Sequence, residues 1–103
     1  MEKLIKDGKV AVVYSPGFGA GWSTEHPEHR EVLSMDREIA EAVVDRNTDK
    51  AAQLATLKCG DVYTYGSGQL KVEWIAKGTV FRINSYDGSE SIEIIGPTSH
   101  MVA

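Results

Sequence analysis

At 103 residues with a formal net charge of −4, the chain has room for one domain around one modest core. Its 42% hydrophobic and 25% charged content is that of an ordinary globular protein, and the acidic balance argues against nonspecific binding to nucleic acid or to an anionic membrane. The one cysteine, Cys59, rules out an internal disulfide and a cysteine-based zinc cluster, and it suits a reducing cytosol.

No apolar stretch approaches the roughly 18 residues of a membrane-spanning helix. The opening MEKLIKDGK is charged and mixed, unlike a signal peptide. The expected location is cytoplasmic.

Lys9 to Tyr14 reads as a strand, apolar on both faces and therefore central. It ends at Ser15-Pro16, and Gly17, Gly19 and Gly21 follow at alternate positions, interleaved with Phe18 and Ala20 and closed by Trp22-Ser23-Thr24. Three glycines in five residues beside two large aromatics suggest backbone shaped for a close approach. The polar run EHPEHRE completes a loop to about residue 30, with Pro27 blocking an earlier helix start.

From Glu31, Val32, Met35, Ile39, Ala42 and Val43 share a helical face, with Arg37, Glu38, Glu41 and Asp45 opposite; the period predicts one amphipathic helix ending near Arg46-Asn47. Asn47 or Thr48 caps a second, shorter helix with apolar positions at Ala51, Leu54, Ala55 and Leu57, and Gly60 stops it.

Beyond Gly60 the period becomes two. Val62 to Tyr65 is a weak strand candidate before Gly66-Ser67-Gly68. Leu70, Val72 and Trp74 share one face of the next strand, against Lys71 and Glu73. After Lys77-Gly78, Phe81 and Ile83 alternate with Arg82 and Asn84. Asp87-Gly88 is a strong hairpin signal, and Ser91 to Ile95 is the return strand.

The expected fold is α+β: a small antiparallel sheet, made of an N-terminal strand and a C-terminal three-strand meander, packed against two helices. Residues 1–96 form the domain and 97–103 a flexible tail. Val12, Ile39, Val43, Trp74, Phe81 and Ile83 are the expected core.

Successive N–H groups in the glycine loop could form an anion nest. The loop fits neither standard phosphate fingerprint: Trp22 stands near where a P-loop needs lysine, and GxGxG is not GxGxxG. His26 and His29 form an HxxH pair among glutamates, but His100 in the tail is the only other histidine, so no metal site is expected. Ser67 and Ser23 miss the GxSxG elbow. Cys59 follows a helix as a small boundary residue. Asp87 and Glu90 read as hairpin-turn chemistry. No catalytic set and no cofactor are expected, and the chain reads as a binding protein rather than an enzyme.

Trp22 stands where no periodic pattern calls for an aromatic core residue, as do aromatics that stack a base or anchor a partner. The expected ligand-binding residues are Ser15, Gly17, Phe18, Gly19, Gly21, Trp22, Ser23 and Thr24, with Arg30 or Arg82 supplying positive charge. Tyr14, Tyr63, Tyr65 and Tyr86 are candidate hydroxyl donors to the same region.

The pairing of VAVVYSPGFGAGWST with LKVEWIAKGTVFRINSYDGSESIEII, across an amphipathic helix, resembles a family of small proteins carried by bacteriophages and prophages. The likeness spans Lys9 to about Ile95 and carries over no catalytic residue. Here GWST is followed by Glu25-His26 and not by a second aromatic, so a double-aromatic clamp is not expected there. The resemblance implies a phage-borne accessory protein of about one domain, acting in the host cytoplasm. Such proteins often neutralise a host defence, and more often by binding than by catalysis.

Two binding modes follow. In the first, the protein sequesters a nucleotide second messenger, the loop cradling phosphates and an aromatic stacking the base. In the second, it inhibits a host defence complex by protein–protein contact, as anti-CRISPR proteins do. Fifteen acids against eleven bases is thin for nucleic-acid mimicry, which ranks the sponge first. A small nucleotide-processing enzyme is the third possibility. A homo-oligomer is expected, since so short a chain has little room for a pocket of its own.

Overall fold

A computed structural model describes residues 1–17, 21–62, 64, 66–95 and 101–103. The fold is α+β, with antiparallel sheets and helices, and its strands divide between two sheets.

The first sheet joins β1 (Ile5–Lys6), β2 (Lys9–Tyr14) and β3 (Lys71–Ala76) in the order β1-β2-β3. The second joins β4 (Val80–Tyr86), β5 (Ser89–Ile94) and β6 (Met101–Val102) in the order β5-β4-β6. β2 is central, as its two apolar faces require. Ala11 and Val13 pack against the helical layer with Leu33, Ile39, Ala40 and Val43. Val10 and Val12 pack the other way, against Phe81, Ile83 and Met101 of the second sheet. The first sheet is therefore the middle of three layers.

The expected meander is cut after β3, which pairs back onto β2 with Val10 opposite Ile75 and Val13 opposite Val72. At the crossing, Lys77 N–H donates to Gly8 O and Gly78 N–H to Ala103 O. Those partners bind the turn to other segments, so β4 enters the second sheet instead of folding onto β3. The β4–β5 hairpin forms at Asp87-Gly88, where both residues have positive φ (53° and 85°), the conformation a tight two-residue turn demands.

The expected tail is corrected at its end. Met101 pairs with Phe81 and Val102 with Val80, and Met101 and Ala103 are buried; residues 97–100 lie outside the described residues. Of the weak strand candidate, Tyr63 and Tyr65 also lie outside them, and Val62 and Thr64 are not in a strand.

The single long helix expected from Glu31 is two: α1 (Arg30–Met35) and α2 (Arg37–Val44). Asp36 between them is extended (φ −59°, ψ 132°), forms a β-bridge to Lys3, and caps α2 by accepting from Ile39 N–H at 3.2 Å. A capping carboxylate is worth about 1 kcal/mol, and the N-terminal segment pairs with the break, where Arg37 N–H donates to Glu2 O at 2.7 Å. α3 (Thr48–Cys59) begins and ends where expected, its first turn capped by Asn47 Oδ1 and its end marked by Gly60 at φ 85°.

Two apolar residues expected inside are not. Leu57 is 80% exposed on α3. Trp74 shares a face with Leu70 and Val72 but is 36% exposed, because it lies at the end of the sheet, where Leu4 and Val44 flank it without closing over it.

Candidate functional site

Ser15 follows β2 directly, and its main chain is held from both sides by Glu90 of β5. Glu90 N–H donates to Ser15 O at 2.8 Å, and Ser15 N–H donates to Glu90 Oε1 at 2.9 Å. The other carboxylate oxygen, Oε2, accepts from Trp22 N–H at 2.8 Å, Thr24 N–H at 3.0 Å and the Thr24 hydroxyl at 2.6 Å. Glu90 is 2% exposed. It stands in phase with Ile92 on the inward side of β5, and that phase was the available signal for a residue that turn chemistry alone appeared to explain.

The loop's amides do converge on an anion, but the anion is the protein's own. A carboxylate with four donors is held by charge-assisted bonds, each stronger than a neutral one. Those three amides are not free to cradle a phosphate, and a second anion brought beside a buried carboxylate would be repelled.

Trp22 is likewise corrected from contact surface to core. It is 0% exposed, packs with Leu33 and Ile39, and its indole Nε1–H donates to Leu33 O at 2.7 Å. The indole bond is what lets so large a polar-tipped ring be buried without penalty.

Of the remaining expected residues, Ser15, Gly21 and Thr24 gather in the loop that Glu90 holds. Ser15 is fully buried, and its hydroxyl donates to Gly66 O at 3.2 Å. Gly66 is glycine because a Cβ there would overlap the carbonyl oxygen of Gly21. Gly21 is buried at φ 76°, and Gly17 packs beside the Gln69 side chain. Ser23 is buried, its Oγ without a hydrogen-bond partner among the described residues, and Thr24 is half-buried on Glu90. Phe18 and Gly19 lie outside the described residues. Tyr14 packs partly into the second core, and Tyr86 is exposed near the hairpin turn.

The two arginines differ. Arg82 lies on the outer face of β4 in an ion pair with Glu93 at 2.9 Å. Arg30 is half-buried at the start of α1, and its Nε is buried without a hydrogen-bond partner among the described residues.

Charge coupling is concentrated on α2 and α3. The Lys58 ammonium, hydrogen-bonded to Glu38 at 2.8 Å, holds that carboxyl below its usual range and is itself raised by the same bond. Burial, helped by the Asp36 carboxylate, pushes the Cys59 thiol up. Among the described residues no three histidine, cysteine or acidic side chains gather to hold a metal ion, and no helix is long and apolar enough to cross a membrane.

What the surface does offer is the Trp74 rim. Leu4, Val44 and Trp74 line a depression of about 200 Å³ edged by Lys6, Glu41 and Asp45. A second, of about 280 Å³, runs past Trp74 to Asp7 and Lys9. No family model, curated protein or solved structure matches the chain.

Proposed function

We propose that this is a non-enzymatic, phage-borne inhibitor that acts by binding a protein of a host defence complex through the surface centred on Trp74. The observation that carries the reading is an exposed tryptophan beside Leu4 and Val44, ringed by both charge signs from Lys6, Lys9, Asp7, Glu41 and Asp45. An aromatic anchor in an apolar patch with a polar rim is the usual anatomy of a protein–protein contact. The mixed rim suits a partner of mixed charge better than a polyanion, which calls for a net basic surface.

Sequestration of a nucleotide loses the loop as its carrier, because Glu90 takes three of the loop's amides.

The test expresses the chain in bacteria carrying a defined defence system and measures phage plating efficiency. Trp74→Ala and Glu41→Lys should lose protection of the phage while remaining folded, with melting temperatures within about 8 °C of the parent's, and the parent should form a stoichiometric complex with one purified defence component. A Trp74→Ala variant as active as the parent refutes the docking surface. A complex only with a second copy of this chain reassigns the surface to self-association.

A further inference from the structure

β3 is the last strand of its sheet, and its register fixes which of its main-chain groups look outward. Lys6 and Lys9 flank the two-residue turn at Asp7-Gly8, and Ala11 N–H donates to Leu4 O, so the odd-numbered residues of β2 bond on the β1 side. Antiparallel bonding alternates along a strand. Val10, Val12 and Tyr14 therefore bond to their β3 partners Ile75, Glu73 and Lys71. The N–H and C=O groups of Val72 and Trp74 point away from β2, and none has a hydrogen-bond partner among the described residues. Such an edge is a template for a further strand.

Charge decides which strand fits. Lys71 and Glu73 are exposed on one face of β3, and among the described residues neither is in an ion pair. A lone lysine guards an edge against pairing, but Lys71 and Glu73 are spaced to meet each other across a two-fold axis at Val72. The other registers fit poorly. Pairing about Glu73 sets that carboxylate against its own copy, and pairing about Trp74 sets Lys71 against Lys77. Pairing about Ile75 needs Ala76 O, which already accepts from Thr79 N–H.

We infer that a second copy of this chain docks β3 against β3, antiparallel about an axis at Val72, and joins the two three-stranded sheets into one. In that register Val72 N–H donates to Val72 O of the copy and Trp74 N–H to Leu70 O, each twice by symmetry. Leu70 is extended at φ −63° and ψ 138°, and its N–H already donates to Ser67 O, which leaves its carbonyl to accept. Lys71 of each copy stands opposite Glu73 of the other, a favourable cross-strand pair. On the helix-side face Val72 meets Val72, and Trp74 meets Leu70. Leu4, which lines the Trp74 depression, lies on the β1 side of the sheet. Self-pairing therefore uses the opposite edge, and the inference does not depend on the defence-protein reading.

Sedimentation velocity over a concentration series tests it on the parent, Lys71→Glu, Glu73→Lys and the double exchange, with thermal melts to show that each is folded. The parent should pass from monomer to dimer as concentration rises. Each single variant sets like charges opposite one another twice and should raise the dissociation constant about tenfold or more. The double exchange restores opposite charges across the axis and should return the constant to within about threefold of the parent's. Hydrogen exchange on the parent needs no variant: the Val72 and Trp74 amides should gain protection as the dimer forms. A parent that stays monomeric at high micromolar concentration overturns the inference, and so do single variants that dimerise as the parent does or a double exchange no tighter than the single ones. Protection of those two amides only on addition of a different protein overturns it as well, and gives the edge to that protein's strand.

Discussion

Replacing Glu90 by alanine removes the acceptor of three backbone N–H groups, those of Ser15, Trp22 and Thr24, and of the Thr24 hydroxyl. An unsatisfied buried donor costs about 1–3 kcal/mol, so three at the lower bound already cost about 3 kcal/mol. At roughly 4–8 °C per kcal/mol for a domain of this size, the melting temperature should fall by at least about 12 °C. Glu90→Gln separates acceptor from charge. Its oxygen can take the place of Oε2 and keep Trp22 and Thr24, but its amide nitrogen then faces Ser15 N–H, donor against donor. One lost bond costs about 1–3 kcal/mol, so glutamine should fall between parent and alanine. Urea and thermal melts of the three proteins, with hydrogen exchange at the Trp22 and Thr24 amides, measure the series. An alanine variant melting within error of the parent would show that the carboxylate does not hold the loop.

Trp22→Ala should cost about 3–5 kcal/mol by cavity formation, whereas Trp74→Ala should stay within about 1 kcal/mol because its ring is partly in water; paired denaturation curves check the order. Gly66→Ala should destabilise strongly, since the new methyl meets the Gly21 carbonyl, while Gly68→Ala, with nothing within 4 Å of its added carbon, should be close to neutral; melts of the two variants compare them. Cys59 should react with iodoacetamide more slowly than a cysteine in a short peptide at the same pH, with its reactivity midpoint displaced upward, because burial disfavours the thiolate. By linkage, the thiol's contribution to stability is complete below the unfolded-state value and is lost as pH rises through the higher folded-state value; urea melts across the alkaline range read that loss.

Where local pattern and tertiary demand agreed, the sequence was readable. Lys9–Tyr14, the helix from Thr48 to Cys59 with Asn47 before it and Gly60 after, and the Asp87-Gly88 hairpin stand where the periodicity puts them. The break at Asp36 was hidden because Val32, Met35, Ile39 and Val43 keep helical spacing across it; the cap on α2 and the pairing of residues 2 and 3 with the break favour the extended residue. Trp74 obeyed its strand period and still reached water, since period gives a face but not whether the facing layer extends that far. The glycine loop was legible as a shaped anion-binding backbone. That its anion comes from residue 90 and not from solution depends on a contact across 75 positions, which no local window contains.

That separation bears on how the protein folds as it is made. Until residue 90 has been synthesised, the amides of Ser15, Trp22 and Thr24 have no carboxylate to bind, and Phe81 and Ile83, against which Val10 and Val12 pack, also belong to the second sheet. β2 can pair at once with β1, and the helices can cover Ala11 and Val13, but the Val10 and Val12 face stays open until β4 is made. Pairings of high sequence separation close late and slowly, and exposed strands of this kind are where misassociation begins. The β4–β5 hairpin, local and quick to form, is the piece whose arrival covers the middle layer and brings the carboxylate that holds its loop.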